Sequence, residues 1–229
     1  MKVLVINLDR SKDRWENMQK AFPGEKLTRI PGIDGFELSD MELTIGNRPS
    51  LGKDHRIRLA EKGIIPRPEA AGLTAGDVGC ALGHIEAWKY IVENNIKKCI
   101  VLEDDVVPTK EYKGSFETSF KFPKDADVLF LQGADSPIGK WELDEKGRII
   151  KGACNYGYMI TKKGAEKAIR AQLPIIWPCD QQWWFKAFKT CYPEYKGKLE
   201  DAGDAYSLAK GVITKGPDGD RSTMRLFHE

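Results

Sequence analysis

Glu103, Asp104 and Asp105 stand in a row directly after the apolar run 99–102. Adjacent carboxylates repel one another, so a fold that gathers them at the end of a buried strand offsets the repulsion with a cation or with hydrogen-bond donors. Their hard oxygens suit Mg²⁺ or Mn²⁺ better than zinc. Such a cation, bridging the diphosphate of a nucleotide-sugar, would neutralise the departing nucleotide as the glycosidic bond breaks. If the strand continues, its alternation puts Glu103 and Asp105 on one side and Asp104 on the other. We assign the metal to Asp105, with Glu103 and Asp104 in ribose, metal or support roles. A solvated acidic turn or a helix N-cap is the plainer alternative for the same triplet.

A second polar group, Asn7-Leu8-Asp9-Arg10 with Arg14, follows the apolar run 3–6. A strand end feeding a helix aims N–H groups at a nucleotide base or phosphate. Asp9 or Ser11 as a plain helix cap explains the same segment. His84 sits among Gly79, Ala81 and Gly83, whose small side chains let a ligand or another backbone approach; a satisfied packing histidine is the alternative. Trp177, Trp183 and Trp184 surround Asp180. Their faces could stack on a sugar while Asp180, as general base, takes the proton of an acceptor hydroxyl; core aromatics with an N-cap aspartate would look the same. Neither G-x-G-x-x-G nor G-x-x-x-x-G-K-[ST] occurs, so a dinucleotide fingerprint and a P-loop are both unsupported.

These residues need a scaffold, and the apolar pattern supplies one. Residues 2–8 read as a central buried strand, and Ser11 begins a helix carrying Trp15, Met18 and Phe22 that ends at Pro23-Gly24. A strand over 27–30 and the turn Asp34-Gly35 complete a βαβ-like unit. Residues 36–72, broken by Gly46, Pro49, Gly52, Gly63, Pro66 and Pro68, read as a long connection with at most short helices. Helical spacing resumes at Thr74 through Val78, Leu82, Ile85, Trp88 and Val92, closing at Asn94-Asn95. Strands are expected at 99–102, 127–131 and 156–160, with a hairpin over 141–151 turning at Asp144-Glu145-Lys146-Gly147. Thr161 caps a helix with Ala165, Ala168, Ile169 and Leu173, and Asp180 caps a last aromatic one. Alternating strands and helices predict an α/β domain with a mostly parallel twisted sheet flanked by helices, its ligands at the carboxyl ends of the strands.

Length and charge narrow the function. The 229 residues fit one domain with a substantial core, and 36 Lys and Arg against 34 Asp and Glu give a net charge of +2. That supplies no field for a polyanion, which argues against nucleic acid as a partner. Cys80, Cys99, Cys154, Cys179 and Cys191 form no C-x-x-C pair, so we expect free thiols in a reducing compartment. The opening apolar run is too short for a secretory signal. No apolar stretch nears the roughly 20 residues of a membrane-spanning helix. We expect a cytoplasmic protein without a transmembrane segment, able to sit peripherally at a membrane.

Taken in order, five segments resemble glycosyltransferase family 25, the lipooligosaccharide galactosyltransferase family that also includes collagen galactosyltransferases. They are Val5-Ile6-Asn7-Leu8-Asp9-Arg10-Ser11 with Asp13-Arg14; Ile33-Asp34-Gly35; Gly79-Cys80-Ala81-Leu82-Gly83-His84 with Trp88; Val101-Leu102-Glu103-Asp104-Asp105; and Tyr158-Met159-Ile160-Thr161 with Gly164-Ala165 and the 178–180 region. The family usually has serine where Gly83 precedes His84. The resemblance implies a GT-A-like single domain, here residues 1–213 followed by a polar tail over 214–229. It also implies a UDP-sugar donor with galactose favoured over glucose, an oligosaccharide or glycolipid acceptor as in lipooligosaccharide biosynthesis, and Mn²⁺ or Mg²⁺ on a DXD-like motif. Inversion at the anomeric carbon follows as well. Asn7, Leu8, Asp9, Arg10, Arg14, Asp34, His84, Glu103 and Asp104 would then bind the donor, Asp105 and Glu103 the metal, and Asp180 with Asp105 would be catalytic. A metal-dependent nucleotide-sugar hydrolase and a non-catalytic glycan-binding module of the same fold are the competing readings.

Overall fold

A computed structural model describes residues 1–45, 48–66, 73–136, 142–151, 154–179 and 205–216. The β-branched run Val3–Asn7 forms β1, Lys12–Ala21 forms α1 and Leu27–Pro31 forms β2, which pairs in parallel with β1. Ser11 occupies the N-cap of α1 without a side-chain capping bond. The expected long connection over 36–72 holds more structure than its glycines and prolines suggest. A 3₁₀ turn (Gly35–Leu38) leads into the hairpin β3 (Ser39–Ile45) and β4 (Arg48–Leu51), and α2 (Lys53–Glu61) follows. Leu51, Leu59 and Ile65 from this region are buried in the same core as Ile85 and Trp88. They lie too far apart in sequence to set a visible period.

Helix α3 (Ala75–Glu93) starts with a capping box: Thr74 accepts from the Asp77 N–H, and the Asp77 carboxylate accepts from the Thr74 N–H. Then come β5 (Lys98–Glu103), β6 (Val106–Pro108), α4 (Phe116–Ser119) and β7 (Val128–Phe130). The expected hairpin follows as β8 (Glu142–Leu143) and β9 (Ile149–Lys151), then β10 (Gly157–Thr161) and α5 (Lys162–Gln172), whose Thr161 cap accepts from the Gly164 N–H at 2.9 Å. The last described elements are β11 (Ala205–Ser207) and β12 (Ile213–Lys215). Where the sequence suggested that a polar tail begins, β12 is instead paired antiparallel with β6. The helix expected from Asp180 onward lies outside the described residues.

The main sheet runs β11-β7-β10-β5-β1-β2. Only β10 opposes its neighbours, so the sheet is mostly parallel, as expected of this α/β class. Alternation along each strand feeds two cores. Leu4, Val101, Phe130 and Tyr158 point to the face covered by α3 and α5, while Val5, Leu102, Leu129 and Met159 pack with Met18, Phe22 and Phe116 on the other. Glu103 follows Cys99 and Val101 on the α3 face, and this parity aims it at His84. No described helix is long and apolar enough to cross a membrane.

The small residues of α3 admit a backbone. A Cβ on Gly79 would lie 2.7 Å from the Ile33 carbonyl oxygen and 3.0 Å from Gly35 N, and one on Gly35 would lie 2.8 Å from the Ala75 oxygen. Gly79→Ala should raise helix propensity by about 1 kcal/mol and still destabilise, by about 1–3 kcal/mol, because backbone rather than a flexible side chain must move. Urea unfolding checks the sign.

Cys80, Cys99, Cys154 and Cys179 are free thiols; Cys191 lies outside the described residues. Burial pushes the Cys99 thiol up to about 12, although Lys2 opposes the shift. Cys99 should therefore resist alkylation at pH 8.5 in the folded protein and react once urea unfolds it, as peptide mass spectrometry would show.

Candidate active site at the carboxyl ends of β1 and β5

Parallel pairing sets the site. With Ile6 in register with Glu103, the strands β1 and β5 end side by side, and Asn7 meets the acidic turn that follows Glu103. The buried Asn7 amide donates to Asp104 Oδ2 at 2.7 Å and to the Ser11 carbonyl at 2.9 Å. Its own oxygen accepts from Arg29 Nε at 2.7 Å. Arg14, one turn into α1, donates to Asp104 Oδ1 at 3.1 Å. Burial pushes the Asp104 carboxyl up, while Asn7 and Arg14 work against it.

β5 ends at Glu103 and the next two residues form a turn, across which Glu103 and Asp105 meet a residue that sequence reasoning missed. Lys215 on β12 places its ammonium 2.5 Å from Glu103 Oε2, 2.5 Å from Asp105 Oδ1 and 5.2 Å from the centre of the Tyr156 ring. Burial alone would raise the Glu103 carboxyl, but Lys215 and His84 hold it well below the usual range. For Asp105 burial wins over Lys215 and pushes the carboxyl up to about 6. Burial would lower the Lys215 ammonium, yet the two carboxylates hold it above its ordinary value.

His84 is buried, with Nδ1 2.8 Å from the Tyr158 hydroxyl, to which the Trp88 indole also donates at 2.8 Å. An indole N–H can only donate. In the tautomer that pairs all three groups, the Tyr158 hydroxyl donates to Nδ1 and Nε2–H faces Glu103. Nε2 lies 3.5 Å from Glu103 Oε1, a close electrostatic approach without hydrogen-bond geometry. Tyr158 itself is driven well above its ordinary pKa, chiefly by burial. Cys80, His84 and Glu103 bring ligand atoms within 4.8 Å of one another and could hold a metal ion. That sulfur, nitrogen and oxygen set differs from the all-oxygen set expected for Mn²⁺ or Mg²⁺.

The remaining sequence-derived residues divide. Arg10 pairs with Asp34, and the exposed Asp9 pairs with Arg29, both at the same sheet edge. Leu8 is half-buried there and faces Gly32. Asp180, Trp183 and Trp184 lie outside the described residues. Arg29 was also missed; its signal is a cation inside a short strand, in register with Val5, from where its guanidinium reaches Asn7 at the end of β1.

Compared with known sequences, residues 1–149 match the profile of Glycosyltransferase family 25 (LPS biosynthesis protein). The chain belongs to glycosyltransferase family 25. Within this family it is 30% identical over 201 residues to "Glycosyltransferase 25 family member" of Anopheles gambiae, covering 78% of this chain and 30% of that protein. It is 25% identical over 183 residues to "Procollagen galactosyltransferase 2" of Mus musculus, covering 74% and 27%. The chain thus spans under a third of the length of these relatives. A solved glycosyltransferase involved in glycosylation of the major capsid of PBCV-1 superposes with a TM-score of 0.44 at 8% identity, over 97% of this chain and 96% of the other.

Proposed function

We propose that this family 25 chain transfers a hexose, galactose favoured over glucose, from a UDP-sugar to an oligosaccharide or glycolipid acceptor, with inversion at the anomeric carbon. The observation that carries the reading is the convergence of Asn7, Arg14 and the acidic turn where β1 and β5 end, the edge at which ligands of parallel sheets sit. Asn7, Leu8, Asp9, Arg10, Arg14, Asp34, His84, Glu103 and Asp104 are proposed to line the donor side, and Asp105, expected to be catalytic, is proposed to act through the Lys215 ammonium that it holds. Relatives named procollagen galactosyltransferases support galactose.

Mn²⁺ or Mg²⁺ at Glu103 and Asp105 was the expectation from the acids and from the family resemblance. Both carboxylates already pair with one ammonium, so the pair as arranged does not fit a divalent ion. In direct displacement, the acceptor oxygen bonds to the anomeric carbon as that carbon's bond to the diphosphate oxygen breaks, and the hydroxyl proton passes to a carboxylate. Asp180 is the base we propose. Asp180→Asn should then lower transfer by about 100-fold or more while leaving donor affinity within about threefold; unchanged turnover would remove Asp180 from this role.

Calorimetry with UDP-galactose, UDP-glucose and a purine nucleotide-sugar, followed by a transfer assay on glycan acceptors, tests the whole reading. Uridine-selective binding and acceptor-dependent turnover are expected. Donor hydrolysis that ignores acceptors would favour the hydrolase instead, and sugar binding without turnover the glycan-binding module.

A further inference from the structure

The acidic turn is ringed by N–H donors. Asn7 and Arg14 serve Asp104, Lys215 serves both Glu103 and Asp105, and His84 Nε2, 1% exposed as a residue and without a hydrogen bond, faces Glu103 from the α3 side. Lys215 is fixed there by backbone. β12 pairs with β6 so that Lys215 stands opposite Val106, and the Gly216 N–H donates to the Asp105 carbonyl at 2.7 Å. Its side chain is 17% exposed. Glu103 and Asp105 would hold a divalent ion only by giving up an ammonium that each already binds through a charge-assisted bond.

We propose that Lys215 is the resident cation of this site, a residue that binds the diphosphate of the donor and takes the place of an added divalent ion. An ammonium has three N–H groups; Glu103 and Asp105 engage two, and the proposal assigns a phosphate oxygen to the third. This rests on the donor reading above. As the acceptor oxygen bonds to the anomeric carbon, the electron pair of the breaking bond goes to the nucleoside diphosphate. The added negative charge there is met by Lys215, and the hydroxyl proton goes to the carboxylate base. Nothing is oxidised or reduced. Glu103 and Asp105 then serve to hold and orient the ammonium, which is why two carboxylates converge on one lysine.

The test measures binding of UDP and of inorganic pyrophosphate to the full chain by calorimetry, in EDTA and in Mn²⁺, for the parent, Lys215→Met and Lys215→Arg. Binding by the parent should survive EDTA, fall by about 10- to 100-fold in Lys215→Met, and stay within about tenfold in Lys215→Arg, which keeps the charge if the methionine variant fails to fold. Parental binding that vanishes in EDTA and returns with Mn²⁺ would overturn the proposal, as would failure of both probes to bind in any condition. Lys215-dependent pyrophosphate binding in EDTA, combined with no uridine selectivity and no sugar transfer, would sink the transferase reading and leave the lysine's role standing.

Discussion

An Asp105→Asn protein is expected to lose about 100- to 1,000-fold in sugar transfer and, above pH 6, to be more stable than its parent. The carboxylate is buried, its side chain only 4% exposed, and it shares Lys215 with Glu103. Asparagine keeps the shape and removes the charge, so the ammonium is held by one carboxylate instead of two and its aim at the diphosphate loosens. Stability moves the other way. Burial lifts the carboxyl from 3.8 to about 6, so its contribution to folding is fully present below its unfolded value and is lost as pH rises through about 6. The amide has nothing to ionise. The stability of the variant minus that of the parent should therefore climb by about 1–3 kcal/mol between pH 4 and pH 7. Urea titrations at the two pH values measure this difference, and steady-state transfer measures the rate. A variant that is slow and equally less stable at both pH values would mean that the carboxylate is mainly a structural ion-pair partner.

How much of this was readable in the chain depends on the distance over which each feature is encoded. β1, α1, α3 and β5 announce themselves because a buried strand needs an unbroken apolar run and a helix needs its stripe within a few residues. The acidic turn and Asn7 were legible for the same reason, since each directly follows such a run. The facing of Asp104 away from its two neighbours was expected only if the strand continued, but β5 ends at Glu103 and Asp104-Asp105 form a turn, so the turn and not strand alternation sets it. A short helix was allowed over 36–72 but the hairpin β3–β4 was not legible, because Leu51, Leu59 and Ile65 are scattered among polar residues and are buried in a core built largely from distant segments, among them α3 and α5. Lys215 shows the limit most clearly. It lies 110 residues from Asp105, in a three-residue strand, and nothing local distinguishes it from Lys196, Lys198 or Lys210 before it. Arg29 likewise acquires meaning only when β2 pairs beside β1. The site is a set of non-local pairings whose ends are local signals.

Trp88→Ala should have the largest effect on stability, about 3–5 kcal/mol from truncation alone, a large part of the roughly 5–15 kcal/mol that holds a domain folded. Trp88 is fully buried and has among the largest volumes of the buried side chains. It joins α3 to the sheet through its indole N–H on Tyr158, and its ring meets that of His84, one turn earlier on the same helix, in a tilted contact at 6.0 Å. Removing the ring opens a cavity beneath α3 and also takes a donor from a buried hydroxyl, which adds to the loss. Trp88→Phe separates the two contributions. It keeps one aromatic ring in the core and deletes the N–H together with the rest of the indole, so about 1–3 kcal/mol should be lost, less than in the alanine variant. Because His84 stands between Tyr158 and Glu103, the phenylalanine variant should also weaken donor binding more than a packing change of that size would, and Tyr158→Phe should weaken it similarly. Urea midpoints for the three variants, set beside UDP calorimetry at a temperature where all remain folded, decide the matter. Parental donor affinity in both phenylalanine variants would confine Trp88 and Tyr158 to packing and leave His84 to be positioned by α3 alone.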